Sequence, residues 1–385
     1  MMLNDRISSF IGSHSITLSI SVLLLATIGV LVQTEGASWD VTSHLLGRPE
    51  TFFTPSHAML YTGVALLIIS ATISAHLLRK NNKEIRTKSF STAFKLLIIG
   101  SVISLVAGPS DYVWHQKFGV DGLLSPTHLT LVTGMLINSI AIVLGLARII
   151  VHIPTTRERR LIKVAMIPAF AAMWLTMIWY VYMFALPLSN GQHFNFNLNP
   201  ILESIIAIIA LPTIGSMVFV TASKTIGRFG AATAVTALLL VMNSFANIMP
   251  SDQLMPFLPW YLVLIVPAIV ADLILTKCVI IMGSKWIKPR RSIIISGAII
   301  GSIFYMIGYP MLPITFVEPL SYTFHSMNDL LVNFIRTLPL AFIFTTIPGA
   351  AMGIIGAIIS VNKINVSQNK NIGRNLSSEV RNNEL

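Results

Sequence analysis

Carboxylates and imidazoles recur at one spacing in two segments of the chain, a combination that is typical of metal-binding sites. The first segment reads WDVTSHLLGRPETFFTPSH (39–57) and the second reads DYVWHQKFGVDGLLSPTH (111–128). Both contain the pattern Asp-x3-His-x12-His. The candidate metal ligands are Asp40, His44 and His57 in the first copy and Asp111, His115 and His128 in the second. An internal repeat that keeps these residue types is more informative than either copy alone.

The chemistry follows from the donor atoms. An Asp and a His four residues apart share one face of a helix. One carboxylate and two imidazoles suit a divalent first-row metal, with copper, iron or zinc as candidates. The alternative is a structural role, in which these side chains cap helices or form hydrogen bonds at an interface.

The second histidine of each copy follows a helix-start signal. Thr54-Pro55 and Ser125-Pro126 place a capping hydroxyl before a proline, which suits the first helical position because its missing N–H has no partner there. This predicts His57 and His128 in the first turn of a helix. Between the two histidines, Glu50 and Asp121 are expected to orient the imidazoles by accepting their second N–H groups.

The surrounding chain has the composition of an integral membrane protein. Hydrophobic residues make up 54% of it and charged residues only 11%, against about 25% charged in a soluble domain. A span needs about 20 apolar residues, and this predicts an all-α polytopic membrane protein of about ten transmembrane helices in five hairpins. The apolar runs lie near 15–33, 56–78, 93–110, 127–147, 164–186, 201–223, 231–249, 257–283, 293–311 and 338–361.

The basic residues predict the orientation. Lys and Arg concentrate in the connections after the second, fourth, sixth and eighth runs. Since cytoplasmic loops hold this excess, both termini are expected in the cytoplasm and both motifs on the extracytoplasmic face of the cell membrane. The net charge of +11 therefore indicates orientation in a lipid bilayer, and no nucleic-acid partner is expected.

Three regions are predicted along the chain. Residues 1–150 form a four-helix membrane segment with the two motifs, and residues 151–361 form a six-helix extension. The Asn-, Lys- and Ser-rich residues 362–385 are expected to be a disordered cytoplasmic tail.

The motif resembles the copper-ligand motif of the C subunit of particulate methane and ammonia monooxygenases. The resemblance covers residues 15–150, and that family carries a related second triad one hairpin later, as this chain does. The family's second triad usually begins with Asn, whereas Asp111 stands here. The resemblance implies copper, partner subunits in the membrane, and oxidation of a small substrate such as ammonia or a short hydrocarbon with dioxygen.

A second class of function stays open at this point. A metal transporter or metal-delivery protein would use the same triads to capture an ion. Asp272 lies inside the eighth apolar run, where an ionisable residue is costly and therefore a candidate relay. The six additional helices also favour this alternative. Motifs of zinc proteases, phosphate-binding loops and serine hydrolases do not occur.

Overall fold

The computed structural model describes residues 15–45, 48, 51–79, 90–119, 124–152, 156–185, 200–252, 255, 258, 262–278, 291–303 and 346–361. Helices account for almost all of these residues, and none of them lies in a strand. The longer helices are α1 (Ser15–Leu45), α2 (Pro55–Arg79), α3 (Ser91–Phe118), α4 (Pro126–His152), α5 (Thr156–Ala185), α6 (Pro200–Ile226) and α7 (Ala231–Ile248). The shorter ones are α8 (Ile265–Asp272), α9 (Arg291–Ile303) and α10 (Thr346–Val361).

Seven of these helices, α1 to α7, are long and apolar enough to cross a membrane. The chain is therefore a multi-pass helical membrane protein. The last three predicted spans coincide with α8, α9 and α10, whose described lengths are shorter than a span. A total of ten spans and the cytoplasmic position of both termini stay predictions.

Helix α1 continues beyond its apolar run, and this extension carries the first motif. The apolar run ends near residue 33, whereas the helix ends at Leu45. The hydroxyl groups of Thr34, Thr42 and Ser43 donate to carbonyls four residues earlier. These bonds let polar residues remain in the helix while their hydroxyls are satisfied. Helix α3 likewise passes through Pro109 and ends at Phe118, so each Asp-x3-His lies on the last turns of a span.

Glycines bring the helices of each hairpin into close contact. A Cβ added at Gly63 would overlap the backbone of Gln33 on α1, and one added at Gly134 would lie 2.8 Å from the Ser104 nitrogen on α3. Gly134 and Ser104 lie 71 residues after Gly63 and Gln33, and His128 lies the same 71 residues after His57. The duplication therefore includes the packing of the helices as well as the motif. Close approach through small residues is typical of helices in lipid.

The chain forms two compact units. One contains α1 to α5 and most of α7, and the other contains most of α6 with α8, α9 and α10. In the first unit α5 packs against α4 and α1, and the predicted boundary at residue 150 stays a prediction. The predicted tail 362–385 lies outside the described residues.

Candidate metal centre

The second copy of the motif brings its three predicted ligands together. Asp111 and His115 lie one turn apart on α3, and His128 lies in the first turn of α4. The Nε2 atom of His115 is 3.3 Å from Oδ2 of Asp111, and that of His128 is 3.4 Å from Oδ1. One donor atom from each residue lies within 4.8 Å of the others. The carboxylate of Asp111 thus stands between the two imidazoles.

The first copy repeats part of this arrangement. Asp40 lies near the end of α1 and His57 in the first turn of α2. The Nε2 atom of His57 is 3.0 Å from Oδ1 of Asp40. His44 follows Asp40 by one turn on α1, but its side chain is outside the part of the chain that the structure describes. The convergence of all three first-copy ligands therefore stays a prediction.

Backbone carbonyls orient one histidine of each copy. The Nδ1 atom of His57 is 2.8 Å from the Thr51 carbonyl oxygen, and that of His115 is 3.0 Å from the Gly119 carbonyl oxygen. A carbonyl can only accept, so Nδ1 carries the proton in both residues. In the neutral imidazole Nε2 then holds a lone pair directed at the carboxylate. Metal-ligating histidines commonly have this arrangement.

The predicted orienting acids are outside the described residues. Neither Glu50 nor Asp121 is described, so their contacts stay a prediction. The second N–H groups of His57 and His115 are already used by carbonyls from the same connecting segments. For these two histidines the backbone performs the task that the sequence assigned to the acids.

Two hydroxyl groups complete the site, and the sequence reasoning missed both. The Ser56 hydroxyl donates to Oδ1 of Asp40 at 2.8 Å, and the Thr127 hydroxyl donates to Oδ1 of Asp111 at 2.6 Å. Each of them immediately precedes the second histidine of its copy. The signal was present in the repeat, because TPSH and SPTH share a hydroxyl residue before the histidine.

The helix starts agree with the sequence in part. Both α2 and α4 begin at the predicted proline. Ser125 is an N-cap, since its Oγ accepts the backbone N–H of His128 at 3.1 Å. Thr54 instead has its hydroxyl directed to the Thr51 carbonyl oxygen at 3.2 Å. The two copies therefore fix their second histidine by different local contacts.

Both copies line one cavity of about 240 Å³. Its polar wall contains Asp40, His57, Asp111, His115 and His128. The remaining wall is largely apolar and includes Leu60, Leu131, Val132, Met135, Trp179 and Met183. The repeat thus places two carboxylates in a single cavity, where the sequence left separate and shared sites open.

The charge and spacing of these groups fit a bound metal. The described lining has two carboxylates and no Lys or Arg, and buried charges require a partner. The Nε2 atoms of His115 and His128 lie 3.3 and 3.4 Å from different oxygens of Asp111, and that of His57 lies 3.0 Å from Oδ1 of Asp40. Separations of this length are compatible with a shared metal ion and with an ion pair to a protonated histidine.

Asp272, the predicted relay, has a structural environment of its own. Its side chain is fully buried and accepts the backbone N–H groups of Ala232 and Thr233 at 3.1 and 2.8 Å. The Thr233 hydroxyl adds a third hydrogen bond of 2.7 Å. The carboxylate therefore caps the start of α7 from another helix. Asp272 thus lies beside the first turn of α7, and its role as a relay stays a prediction.

Comparison of the chain with known protein families, with curated proteins and with solved structures gives no match.

Proposed function

We propose that this protein binds copper at the Asp111–His115–His128 site and oxidises a small molecule in the adjoining cavity. The observation that carries the proposal is the arrangement of one carboxylate between two imidazoles at metal-ligand spacing. The Asp40–His57 pair is the corresponding part of a second site, to which His44 would contribute. Iron and zinc are the alternative metals.

Two features favour copper. Imidazole nitrogen binds copper strongly. The thioethers of Met135 and Met183 line the same cavity, and soft sulfur ligands suit the reduced Cu(I) ion. The motif's resemblance to the C subunit of copper membrane monooxygenases points the same way. Bound copper would supply redox chemistry with dioxygen at a coordination position that three protein ligands leave open.

The chain's own residues have separate tasks. Thr127 holds one oxygen of Asp111 by its hydrogen bond, and Gly119 fixes the ring of His115 through the backbone. The apolar wall around Leu131 and Met135 admits a small uncharged substrate and limits water. A cavity of about 240 Å³ fits a molecule the size of ammonia or a short hydrocarbon. Other membrane subunits and the electron donor belong to the same proposal.

Metal transport or delivery is the competing function. Its argument from the sequence rests on Asp272 as a relay and on the six additional helices. The three hydrogen bonds to Asp272 explain that carboxylate as a helix cap. Capture of an ion by the outer triads remains compatible with both functions. The choice between them depends on whether the ion stays in its site.

The test is metal analysis of the full chain purified in mild detergent after loading with copper. We expect bound copper in the wild type, and loss of the Asp111 site in Asp111→Ala and His115→Ala. The matched control is His76→Ala, which removes a histidine from the last turn of α2. Copper that remains in both ligand variants at the wild-type amount would contradict the proposal.

A second measurement separates oxidation from transport. Liposomes containing the protein are supplied with external copper, and internal copper is followed with time. Retained copper with no uptake agrees with an oxidising site. Steady uptake that disappears in His115→Ala would assign the triads to transport.

A further inference from the structure

A buried carboxylate lies in α1 outside the metal cavity. Glu35 is 6% exposed, and both of its side-chain oxygens are fully buried. It lies eight residues before Ser43, the outer end of the span, and therefore about 12 Å along the helix from that end. An ionisable residue at such a position is costly unless it has a function or a partner.

The surroundings of Glu35 provide little compensation. Neither oxygen has a hydrogen bond of good geometry among the described residues. The peptide group of Ala246 on α7 lies next to the carboxylate, but it is within a helix. A carboxylate without a cation or several donors is strongly disfavoured in an apolar interior.

Glu35 begins a polar stripe that ends at the outer end of α1. Glu35, Ser38 and Thr42 follow one another at spacings of three and four residues, so they share one helix face. The Ser38 side chain is 2% exposed, and its hydroxyl is buried with no hydrogen-bond partner among the described residues. The Thr42 hydroxyl, which donates to the Ser38 carbonyl oxygen at 2.9 Å, also lies 3.4 Å from Oδ1 of Asn247 on α7.

This face of α1 contacts α7 through a few side chains. Besides the Thr42–Asn247 contact, the rings of Trp39 and Phe245 meet edge to face at 6.1 Å between centroids. The cavity is lined from α1 by Ala37, Asp40 and Val41, which lie on a different face. The polar stripe and the metal cavity are therefore separate features of one helix.

We propose that Glu35 is a proton-binding site within the membrane and that it exchanges its proton with the outer face along Ser38, Thr42 and Asn247. The carboxylate takes one proton from outer water and becomes the neutral acid, and in the reverse step the same proton returns to water. The stripe supplies about one polar group per helical turn over a rise of about 10 Å. A proton suits this site because a neutral acid needs only one acceptor, whereas a metal ion needs several oxygen ligands.

The titratable side chains nearest to Glu35 in the described residues lie on α1 itself, as Asp40 does, and on the helices that pack against α1. Helix α7 has no titratable residue. The helices α2, α4 and α5 also pack on α1. Their described titratable residues near the outer end are His57, Tyr61 and His128, which line the metal cavity, and Tyr180, whose hydroxyl contacts the Thr133 hydroxyl on α4.

Infrared spectroscopy of the full chain in liposomes tests this proposal without reference to metal or substrate. At neutral pH we expect the carbonyl-stretching band of a protonated carboxylic acid in the wild type. The band should be absent from Glu35→Gln and present in the control Glu158→Gln, which changes an exposed glutamate at the start of α5. A wild type without such a band overturns the proposal, and so does a band that persists in Glu35→Gln.

Transfer to heavy water tests the route. The acid band shifts when deuterium replaces the proton, and the rate of this shift reports exchange with the outside. In Thr42→Val and Asn247→Leu we expect exchange about tenfold slower, since losing one hydrogen-bonding group along the path raises the barrier by about 1.4 kcal/mol. The control Thr62→Val removes an exposed hydroxyl of α2 and should leave the rate unchanged. Equal rates in all variants overturn the route, and a band that responds to Na⁺ would assign Glu35 to a metal cation instead.

Discussion

The Thr127 hydroxyl donates a 2.6 Å hydrogen bond to Oδ1 of Asp111, and this bond joins the start of α4 to the end of α3. Ser56 makes the same contact with Asp40, also 16 residues earlier in the chain. The two bonds hold each carboxylate toward the histidine that follows the hydroxyl residue. The repeat therefore preserves a positioning contact as well as candidate ligands.

Thr127→Val should weaken metal binding while the fold is kept, because valine has the shape of threonine without its hydroxyl. Loss of a group that orients a ligand typically reduces metal affinity by about 10–100-fold. Thr127→Ser should restore most of the affinity, measured by competition with a chelator of known strength. The control Thr130→Val removes a hydroxyl that bonds only within α4. Equal affinities in Thr127→Val and the control would show that the contact is unimportant.

Gly63→Ala should destabilise the first hairpin, since the added methyl group would overlap the backbone of Gln33. Overpacking of this kind costs about 1–3 kcal/mol of unfolding free energy. Thermal unfolding in detergent measures the difference. Gly108→Ala is the matched control, because its Cβ would meet only Tyr61 Cε1 at an ordinary 3.4 Å. A Gly63→Ala protein as stable as the control would mean that the two helices separate at little cost.

The predicted orientation in the membrane determines which loops should be accessible from each side. A reporter enzyme that works only in the cytoplasm should be active when it is fused within 79–92 or 148–163. A reporter that works only outside should be active when it is fused within 40–55 or 111–125. An extracytoplasmic 148–163 loop would place both motifs on the other face. Glu35 would then exchange its proton with water on the cytoplasmic side of the membrane.

The sequence predicted the helices because they depend on local spacing. The repeat also predicted that Asp111, His115 and His128 lie close together, while their role as metal ligands stays a prediction. Apolar run length indicated the spans, and Pro55 and Pro126 identified the starts of α2 and α4. The extension of α1 to Leu45 was harder to predict, since its polar residues are satisfied by hydrogen bonds within the helix.

Contacts between helices could not be predicted in this way. The Thr51 and Gly119 carbonyls leave no trace in side-chain patterns, although they orient His57 and His115. Asp272 was a relay candidate because the sequence around it is apolar. Its hydrogen-bond partners, Ala232 and Thr233, lie 40 and 39 residues earlier in the chain at the start of α7. Glu35 was overlooked because it lies next to the motif rather than within it.

The contacts of Asp272 lead to a prediction that separates a cap from a relay. Asp272→Ala removes the acceptor of three hydrogen bonds and should lower the unfolding free energy by about 1–2 kcal/mol, as loss of a helix cap does. Copper bound at the triads should stay at the wild-type amount in Asp272→Ala and in Asp272→Asn, because the cap and the triads involve different helices. Thermal unfolding and metal analysis of the same samples measure both quantities. If liposomes with wild-type protein take up copper and those with Asp272→Asn do not, while both bind copper at the triads, then Asp272 is a relay and the protein is a transporter.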